Sequence, residues 1–247
     1  MLRSATPAFL LLAVSLNAQS APDAGTARPE RPTVATHAVA VARGYLELEA
    51  GAAVTRPSGA AEHAMILSTK FGIMERLQLT VTSSVTRTAA GVTGADPIYA
   101  GVKWQLGAQR DGRPLIAILP GVTFANGPRR DRDAALSLMA VYSQAVGPVA
   151  VDVNVAATRL NRVEGRMPYL WAASAGGAVA GPLGWGVELW GEADGDTTSS
   201  TNLLGFIGYT VRPWLVLDAG FTTPLEGEAG TTLFTGLTWN LGRVVRR

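Results

Sequence analysis

The stretch that decides the fold is Phe71–Val85, FGIMERLQLTVTSSV. In its second half the side chains alternate between two faces, as they do in a β-strand. Leu77, Leu79 and Val81 form the apolar face, and the other face carries Gln78, Thr80, Thr82 and Ser84. A soluble sheet would bury the apolar face in a dry core, whereas a membrane barrel would turn it to lipid and keep the polar row inside.

Composition favours the membrane. Of the 247 residues, 47% are hydrophobic and only 16% are charged, against roughly 25% charged in a typical soluble chain. The 28 glycines recur inside strand-like runs, where glycine indicates curvature or crowding. The net charge of +2 comes from scattered basic residues, which argues against a nucleic-acid partner. The chain has no cysteine, which excludes disulfides and thiolate chemistry.

The periodicity predicts about twelve antiparallel strands and no transmembrane helix. The strands are expected at about 44–56, 62–73, 76–88, 97–108, 114–125, 134–146, 149–160, 168–180, 184–194, 201–211, 214–223 and 231–243. Most are close to the roughly 9–11 residues that a tilted strand needs to cross a bilayer. Every second connection is short, which is typical of outer-membrane barrels with short periplasmic turns and longer outer loops. The predicted fold class is an all-β transmembrane barrel.

Alternation in the other strands predicts two sets of side chains. The candidate lumen-lining residues are Glu47, Glu49, Lys70, Lys103, Gln105, Asp152, Asn154, Glu188 and Asp218. Buried charges must be paired or hydrated, so this row either forms struts that plug the lumen or lines a passage, and the sequence leaves both alternatives open. The candidate aromatic residues at the lipid interface are Tyr45, Tyr99, Trp104, Tyr169, Trp171, Trp185, Tyr209, Trp214 and Trp239.

The N-terminus predicts export. Arg3 precedes an apolar run, Ala8–Leu16, which is too short to span a bilayer and is typical of a signal peptide. We expect a cleaved signal peptide over 1–20, a flexible segment over 21–42 and the barrel over 43–247. The flexible segment is rich in Pro, Ala, Thr and Arg and lacks periodicity, and its sequence does not distinguish a plug from a tether.

Four stretches carry a resemblance to known families. The last strand, TTLFTGLTWNLG at Thr231–Gly242, resembles the terminal strand of bacterial outer-membrane proteins, with Gly236, Trp239 and Leu241 at the positions of its assembly signal. With AGVKWQLG at 100–107, ILPGVTFANG at 118–127 and FGIMERLQL at 71–79, the chain resembles the meta-pathway phenol-degradation family. That resemblance implies an outer-membrane transporter of small, often aromatic compounds.

Catalytic chemistry is not predicted. Of the two histidines, His37 falls in the flexible segment and His63 at the start of the second strand. A barrel phospholipase, the first alternative function, would pair His63 with Ser58 or Ser68, but no nucleophile motif accompanies them. The second alternative is a secreted soluble sandwich or barrel that binds a ligand.

The preferred hypothesis is an outer-membrane channel that passes small hydrophobic or aromatic solutes by passive diffusion, without a metal or cofactor. Its expected partners are outer-membrane lipid, the barrel assembly machinery and an unidentified solute.

Overall fold

A computed structural model describes residues 23–56, 61–88, 91, 93–95, 97–108, 110, 112–124, 134–160, 167–194, 199–226 and 230–245. The signal-peptide prediction, Ser58 and most residues of the predicted outer loops lie outside these ranges. Thirteen strands occur within them: β1 Tyr45–Arg56, β2 Glu62–Met74, β3 Leu77–Arg87, β4 Thr93–Ala95, β5 Ile98–Gln105, β6 Leu115–Phe124, β7 Ala135–Val146, β8 Val149–Leu160, β9 Pro168–Ala180, β10 Leu183–Asp194, β11 Ser199–Arg212, β12 Leu215–Pro224 and β13 Thr231–Arg243.

These strands form one closed antiparallel barrel. Apart from the short strand β4, each strand pairs with its neighbours in sequence, and β1 pairs with β13 over its whole length, which closes the sheet. The short strand β4 and the strand β5 both pair with the same edge of β3, so they form one wall strand interrupted near Pro97, which has no N–H to donate. The wall therefore has twelve strands, as predicted. β4 itself lies where the sequence predicted only a loop.

Short connections are gathered at one end of the barrel, which we call the turn end. Turns of two residues join β2 to β3, β7 to β8, β9 to β10 and β11 to β12. Arg76, Gly147 and Gly181 in these turns have positive φ, as tight antiparallel connections require. The opposite end is the loop end. The predicted sorting of connections by length holds for these four turns, whereas the β5–β6 connection at the turn end is longer and spans 106–114.

The apolar faces point outward. Leu77, Leu79 and Val81 lie on the outer surface, whereas Gln78 and Thr80 are buried inside. Large apolar side chains along other strands are also exposed, for example Met65 at 71% and Leu138 at 57%. A soluble sandwich would have sealed these side chains between two sheets, so the wall does not support that alternative. In the described part of the chain, no helix is both long and apolar enough to cross a membrane.

The inside of the barrel holds part of the chain itself. Residues 23–44, which we call the lumen segment, have no helix or strand. They begin at the turn end, where the N–H of Ala27 donates to the carbonyl of Pro213 at 2.7 Å. The segment then crosses the lumen and returns to Gly72 of β2 before it enters β1. The composition of residues 21–42 predicted a flexible segment; in the structure residues 28–41 bond to wall side chains at several points, and flexibility of the segment stays a prediction.

One part of the inner wall is apolar. Leu115 and Ala117 of β6 and Val141 of β7 point inward and pack against Ala38 of the lumen segment. The predicted arrangement, with apolar side chains outside and polar side chains inside, therefore holds for most strands but not for β6 and β7. We call these inward side chains, together with Met139 of β7, the apolar stripe.

A charge placed on the outer face tests the membrane orientation. Val81 lies near the middle of β3 and Val85 near its loop end, both facing outward. We expect Val81→Arg to lower the free energy of unfolding by about 2–4 kcal/mol, and Val85→Arg by about 0–1 kcal/mol, because the cost of a lipid-facing arginine falls with distance from the midplane. Urea unfolding in lipid vesicles measures both. Equal effects of the two substitutions would contradict a bilayer around β3.

Candidate functional site

The candidate site is the lumen, where wall side chains accept hydrogen bonds from the backbone of the lumen segment. The wall carboxylates come first. The N–H of Arg28 donates to Glu47 at 2.8 Å, and the N–H of Glu30 donates to Glu49 at 2.7 Å. Both oxygens of Glu188 are used, one by the N–H of Val34 and one by the N–H of Ala35, at 2.8 Å each. A segment without secondary structure thus finds partners for N–H groups that would otherwise be buried unpaired.

Neutral wall side chains continue the pattern as the segment returns to the turn end. The backbone donors and their wall acceptors are Thr36 with Asn154 at 2.6 Å, Ala38 with Ser143 at 2.7 Å, Ala40 with Gln105 at 3.1 Å and Val41 with Gln78 at 2.8 Å. In each pair the wall accepts from a backbone N–H of the segment, and Asn154 also donates its Nδ2–H to the carbonyl of Thr36 at 3.0 Å. The wall therefore recognises N–H groups along most of the segment.

Two lysines join the segment to the wall by charge. Lys70 lies 2.8 Å from Glu49 and also pairs with Glu47, and its Nζ donates to the carbonyl of Arg28 at 2.7 Å. Lys103 pairs with Glu30 of the segment and donates to the carbonyl of His37 at 2.7 Å. Both lysine side chains are fully buried. They are also the only lysines in the chain.

Glu30 is the charged centre of this network. Burial by itself raises the pKa of Glu30, but the ammonium groups of Lys103 and Lys70 outweigh burial and hold the pKa well below its usual range. Glu30 is therefore ionised while the segment is seated. It connects β2 and β5 through one carboxylate.

Arg31 occupies a slot between the first and last strands. Its guanidinium Nη2 lies 3.5 Å from the carboxylate of Asp218 and donates to the carbonyl of Thr235 at 3.4 Å. The slot exists because Gly51 and Gly236 have no side chains: a Cβ at either position would overlap the guanidinium. We call this place the guanidinium slot.

All nine predicted lumen-lining residues point into the barrel. Eight of them bond directly to the lumen segment: Glu47, Glu49, Lys70, Lys103, Gln105, Asn154, Glu188 and Asp218. Asp152 accepts a hydrogen bond from Ser143, which in turn accepts from the N–H of Ala38. Their role in lining a passage stays a prediction, since in this state they contact the segment. The sequence analysis missed the segment's own residues and Ser143.

Most of the predicted interface aromatics face outward, and two do not. The exposed ones are Trp104, Tyr169, Trp171, Trp185, Tyr209, Trp214 and Trp239. Tyr99 is a correction: it lies inside, against Gly101 and Gly121, and bonds to Ser137. Its position two residues before the inward Gly101 on β5 explains why. Tyr45 is also placed differently, since it lines a cavity of about 480 Å³ at the turn end.

The terminal strand agrees with the expected alternation. Trp239 and Leu241 point outward and Gly236 inward, while recognition by the assembly machinery stays a prediction.

The structure gives no support to the phospholipase alternative. His63 lies on the outer face near the loop end of β2, whereas Ser68 points inward and bonds to Thr82 at 2.8 Å. The two residues are therefore on opposite faces of one strand and cannot form a hydrogen-bonded pair. The described residues also contain no group of three His, Cys, Asp or Glu side chains placed to hold a metal ion.

Solved structures share this fold. The chain aligns with the NanC porin at a TM-score of 0.61 and 10% identity, over 79% of this chain and 100% of that one. An outer membrane channel from Pseudomonas putida F1 aligns at 0.62 and 13% identity, over 82% and 97%. The KdgM porin aligns at 0.55 and 9% identity, over 77% and 98%. At these identities the likeness shows the outer-membrane barrel fold alone.

No protein-family model matches the chain, and no curated protein matches its sequence. The resemblance to the phenol-degradation family therefore stays a prediction.

Substitution of Glu30 tests the network between segment and wall. We expect Glu30→Gln to raise the rate at which a small amine-reactive reagent labels Lys70 and Lys103 by about ten- to a hundredfold, because a charge-assisted hydrogen bond contributes about 1.5–3 kcal/mol. Mass spectrometry of the folded barrel at pH 8 measures the rate. Asp23→Asn is the matched control, since Asp23 is exposed and bonds only weakly to Gly25. Unchanged labelling in Glu30→Gln would contradict the role of Glu30.

His37 makes the seating of the segment depend on pH. Burial and the positive charges of Lys103, Lys70 and Arg28 lower the pKa of His37, and the negative charge of Glu30 opposes them in part. The net pKa is about 3. Nε2 lies 3.4 Å from the carbonyl of Arg28, and Nδ1 has no partner among the described residues. A released segment would regain the ordinary pKa of about 6.5, so seating is strongest above pH 6.5 and weakens as the pH falls toward 3.

We expect the hydrogen-exchange protection of the segment amides, such as those of Val34 and Ala35, to fall about tenfold between pH 7.5 and 5.5 after correction for intrinsic rates. His37→Gln should remove this change, because glutamine keeps an N–H donor but does not titrate. The same tenfold loss in His37→Gln would assign the effect to the carboxylates instead.

Proposed function

We propose that this chain is an outer-membrane channel for small solutes, closed at rest by its own lumen segment. One observation carries the proposal: inside a barrel with an apolar outer surface, a polar wall is occupied by a segment that is bound through side-chain contacts. A closed barrel is the β architecture that a lipid bilayer tolerates.

The seated segment closes the turn-end half of the lumen. Gln78, Lys70, Lys103 and Glu188 have almost no exposed surface, so water does not line the wall at their level. Twelve strands lie between the eight whose interior side chains just fill and the sixteen to eighteen that leave a wide channel. A barrel of this size has room for one folded-back segment, and it has room for a small solute once the segment leaves.

The contacts that hold the segment are of a kind that can be exchanged. They are hydrogen bonds and ion pairs with wall side chains, and backbone pairing with the wall occurs near residues 43 and 44 and at Ala27. Water or a polar solute can replace each of them at a net cost of about 0.5–1.5 kcal/mol per neutral bond. No energy source or cofactor is needed for such an exchange, and transport would be passive.

The resemblance in sequence implies hydrophobic or aromatic solutes. The feature that supports this finer proposal is the apolar stripe, which in the seated state is covered by Ala38 and Val39. After release it would offer an apolar surface of the kind that ligand pockets present to a solute.

A reversible lock tests whether the segment is the gate. The N–H of Ala38 lies 2.7 Å from the hydroxyl of Ser143, so cysteines at both positions are close enough for a disulfide, and the chain has no other cysteine. In the Glu30→Gln background, we expect frequent openings in planar bilayers. The added Ala38→Cys and Ser143→Cys pair should reduce them at least tenfold when oxidised, and reduction should restore them.

Each single cysteine variant in the same background is the control, and it should conduct equally with and without reductant. Equal conduction by the oxidised and reduced pair, with the disulfide verified by mass spectrometry, would show that the gate lies elsewhere. Absence of conductance in every variant would overturn the channel proposal.

A further inference from the structure

The seated segment shows what the wall is built to bind. Backbone N–H groups of the segment donate to the wall acceptors, and the side chain of Arg31 enters the guanidinium slot. The segment therefore acts as an internal ligand whose chemistry is visible. A solute that takes its place meets the same acceptors and the same slot.

The net negative charge of the wall also favours a cationic ligand. At the level of the segment, the described wall carries five carboxylates against two lysines, an excess of three formal negative charges: Glu47, Glu49, Asp152, Glu188 and Asp218 against Lys70 and Lys103. The segment offsets part of this excess with Arg28 and Arg31, although Glu30 adds one negative charge. When the segment leaves, the wall is left with the full excess, and a cation is favoured there.

The guanidinium slot makes the preference more specific than charge alone. Asp218 is 6% exposed and faces the slot together with the carbonyl of Thr235, both of which accept hydrogen bonds. The side-chain-free positions 51 and 236 admit a flat group to the surface of the wall. A planar cation with several N–H donors satisfies these acceptors, whereas a quaternary ammonium brings charge without donors.

The apolar stripe lies on other strands of the same lumen. β6 and β7 carry the stripe, while Glu49, Glu188 and Asp218 come from β1, β10 and β12. A solute with an N–H-bearing cationic end and an apolar body would therefore find hydrogen-bond acceptors on one side of the lumen and an apolar surface on the other.

Arginines at the turn-end mouth would repel a cationic solute. Arg43, Arg76 and Arg243 line the cavity there with Glu75. Because this cavity opens to solvent, salt screens their charges within about 8 Å at physiological ionic strength. The carboxylates inside the lumen are screened much less.

Resting on the proposed channel function, we propose that the lumen selects small organic cations with N–H donors, guanidinium or amine groups on an apolar body, and that such a solute competes with the lumen segment for the wall.

Three probes with the same aromatic body test this in the full-length protein: benzylguanidinium, benzyltrimethylammonium and phenylacetate. None reacts with an amine reagent, so labelling of Lys70 and Lys103 reports segment displacement directly. We expect benzylguanidinium to raise the labelling rate at least tenfold with a saturable dose dependence. Phenylacetate should have no effect, and benzyltrimethylammonium should need at least tenfold higher concentration. An equal response to phenylacetate would overturn the cation preference, and an equal response to benzyltrimethylammonium would overturn the role of N–H donors.

A substitution in the guanidinium slot tests whether benzylguanidinium binds there. Asp218→Asn should raise the ratio of the benzylguanidinium midpoint to the benzyltrimethylammonium midpoint about ten- to a hundredfold, because only the guanidinium loses a charge-assisted hydrogen bond. The ratio is the readout because the same substitution also loosens Arg31, which shifts the midpoints of both probes by the same factor. Glu75→Gln, at the turn-end mouth, is the matched control and should leave the ratio unchanged. An unchanged ratio in Asp218→Asn would remove the slot from the proposal.

Conductance separates this proposal from the channel function. In the Glu30→Gln variant, the reversal potential in a salt gradient should indicate cation preference. Conduction with no cation preference would overturn the selectivity and leave the channel in place. Labelling that responds to benzylguanidinium without any conductance would overturn the channel and leave the binding site.

Discussion

The structure depends on the pairing of two sets of polar groups, each of which would be costly to bury alone. The barrel wall carries inward oxygens on Glu47, Glu188 and Asn154, and the lumen segment carries backbone N–H groups that no helix or strand satisfies. An unpaired polar group in a closed interior costs about 1–3 kcal/mol. Each set supplies what the other lacks, so segment and wall stabilise each other although they are far apart in sequence.

Glycine provides the space for this pairing. The guanidinium of Arg31 lies over Gly51 and Gly236, and the backbone at Ala42 passes so close to Gly72 that a Cβ there would overlap its carbonyl. The glycine content was therefore correctly interpreted as a sign of crowding, but the sequence does not show that the crowding comes from the chain's own N-terminal part. Alanine at position 51 or 72 would press on the segment, and alanine at position 236 would press both on Arg31 and on the wall carbonyl of Ala50.

Local periodicity was enough to predict the wall. The alternation from Leu77 to Ser84 fixes which side chains face lipid, and the positions of the short turns fix the order of the strands. The same alternation, applied strictly to β5, would have placed Tyr99 inside with Lys103; the preference of aromatic residues for interfaces was given too much weight there. The apolar stripe on β6 was not predicted because a strand that is apolar on both faces gives no alternating signal.

The lumen segment could not be predicted in the same way. Its contacts join residues far apart in sequence, such as Val34 and Glu188, separated by 154 positions, and a segment without secondary structure has no period to detect. The one available signal was indirect: a row of inward charges needs partners, and Arg28, Glu30 and Arg31 were charges that no predicted strand contained.

The position of the guanidinium slot bears on how the barrel is completed. Gly51 and Gly236 are direct partners in the register between the first and the last strand, which is the seam where the cylinder joins. Arg31 therefore rests on the interface that closes the sheet, and the chain N-terminal to the first strand contributes to fastening that seam from within. Loss of this one guanidinium would therefore weaken two junctions together, that of the segment with the wall and that of the first strand with the last.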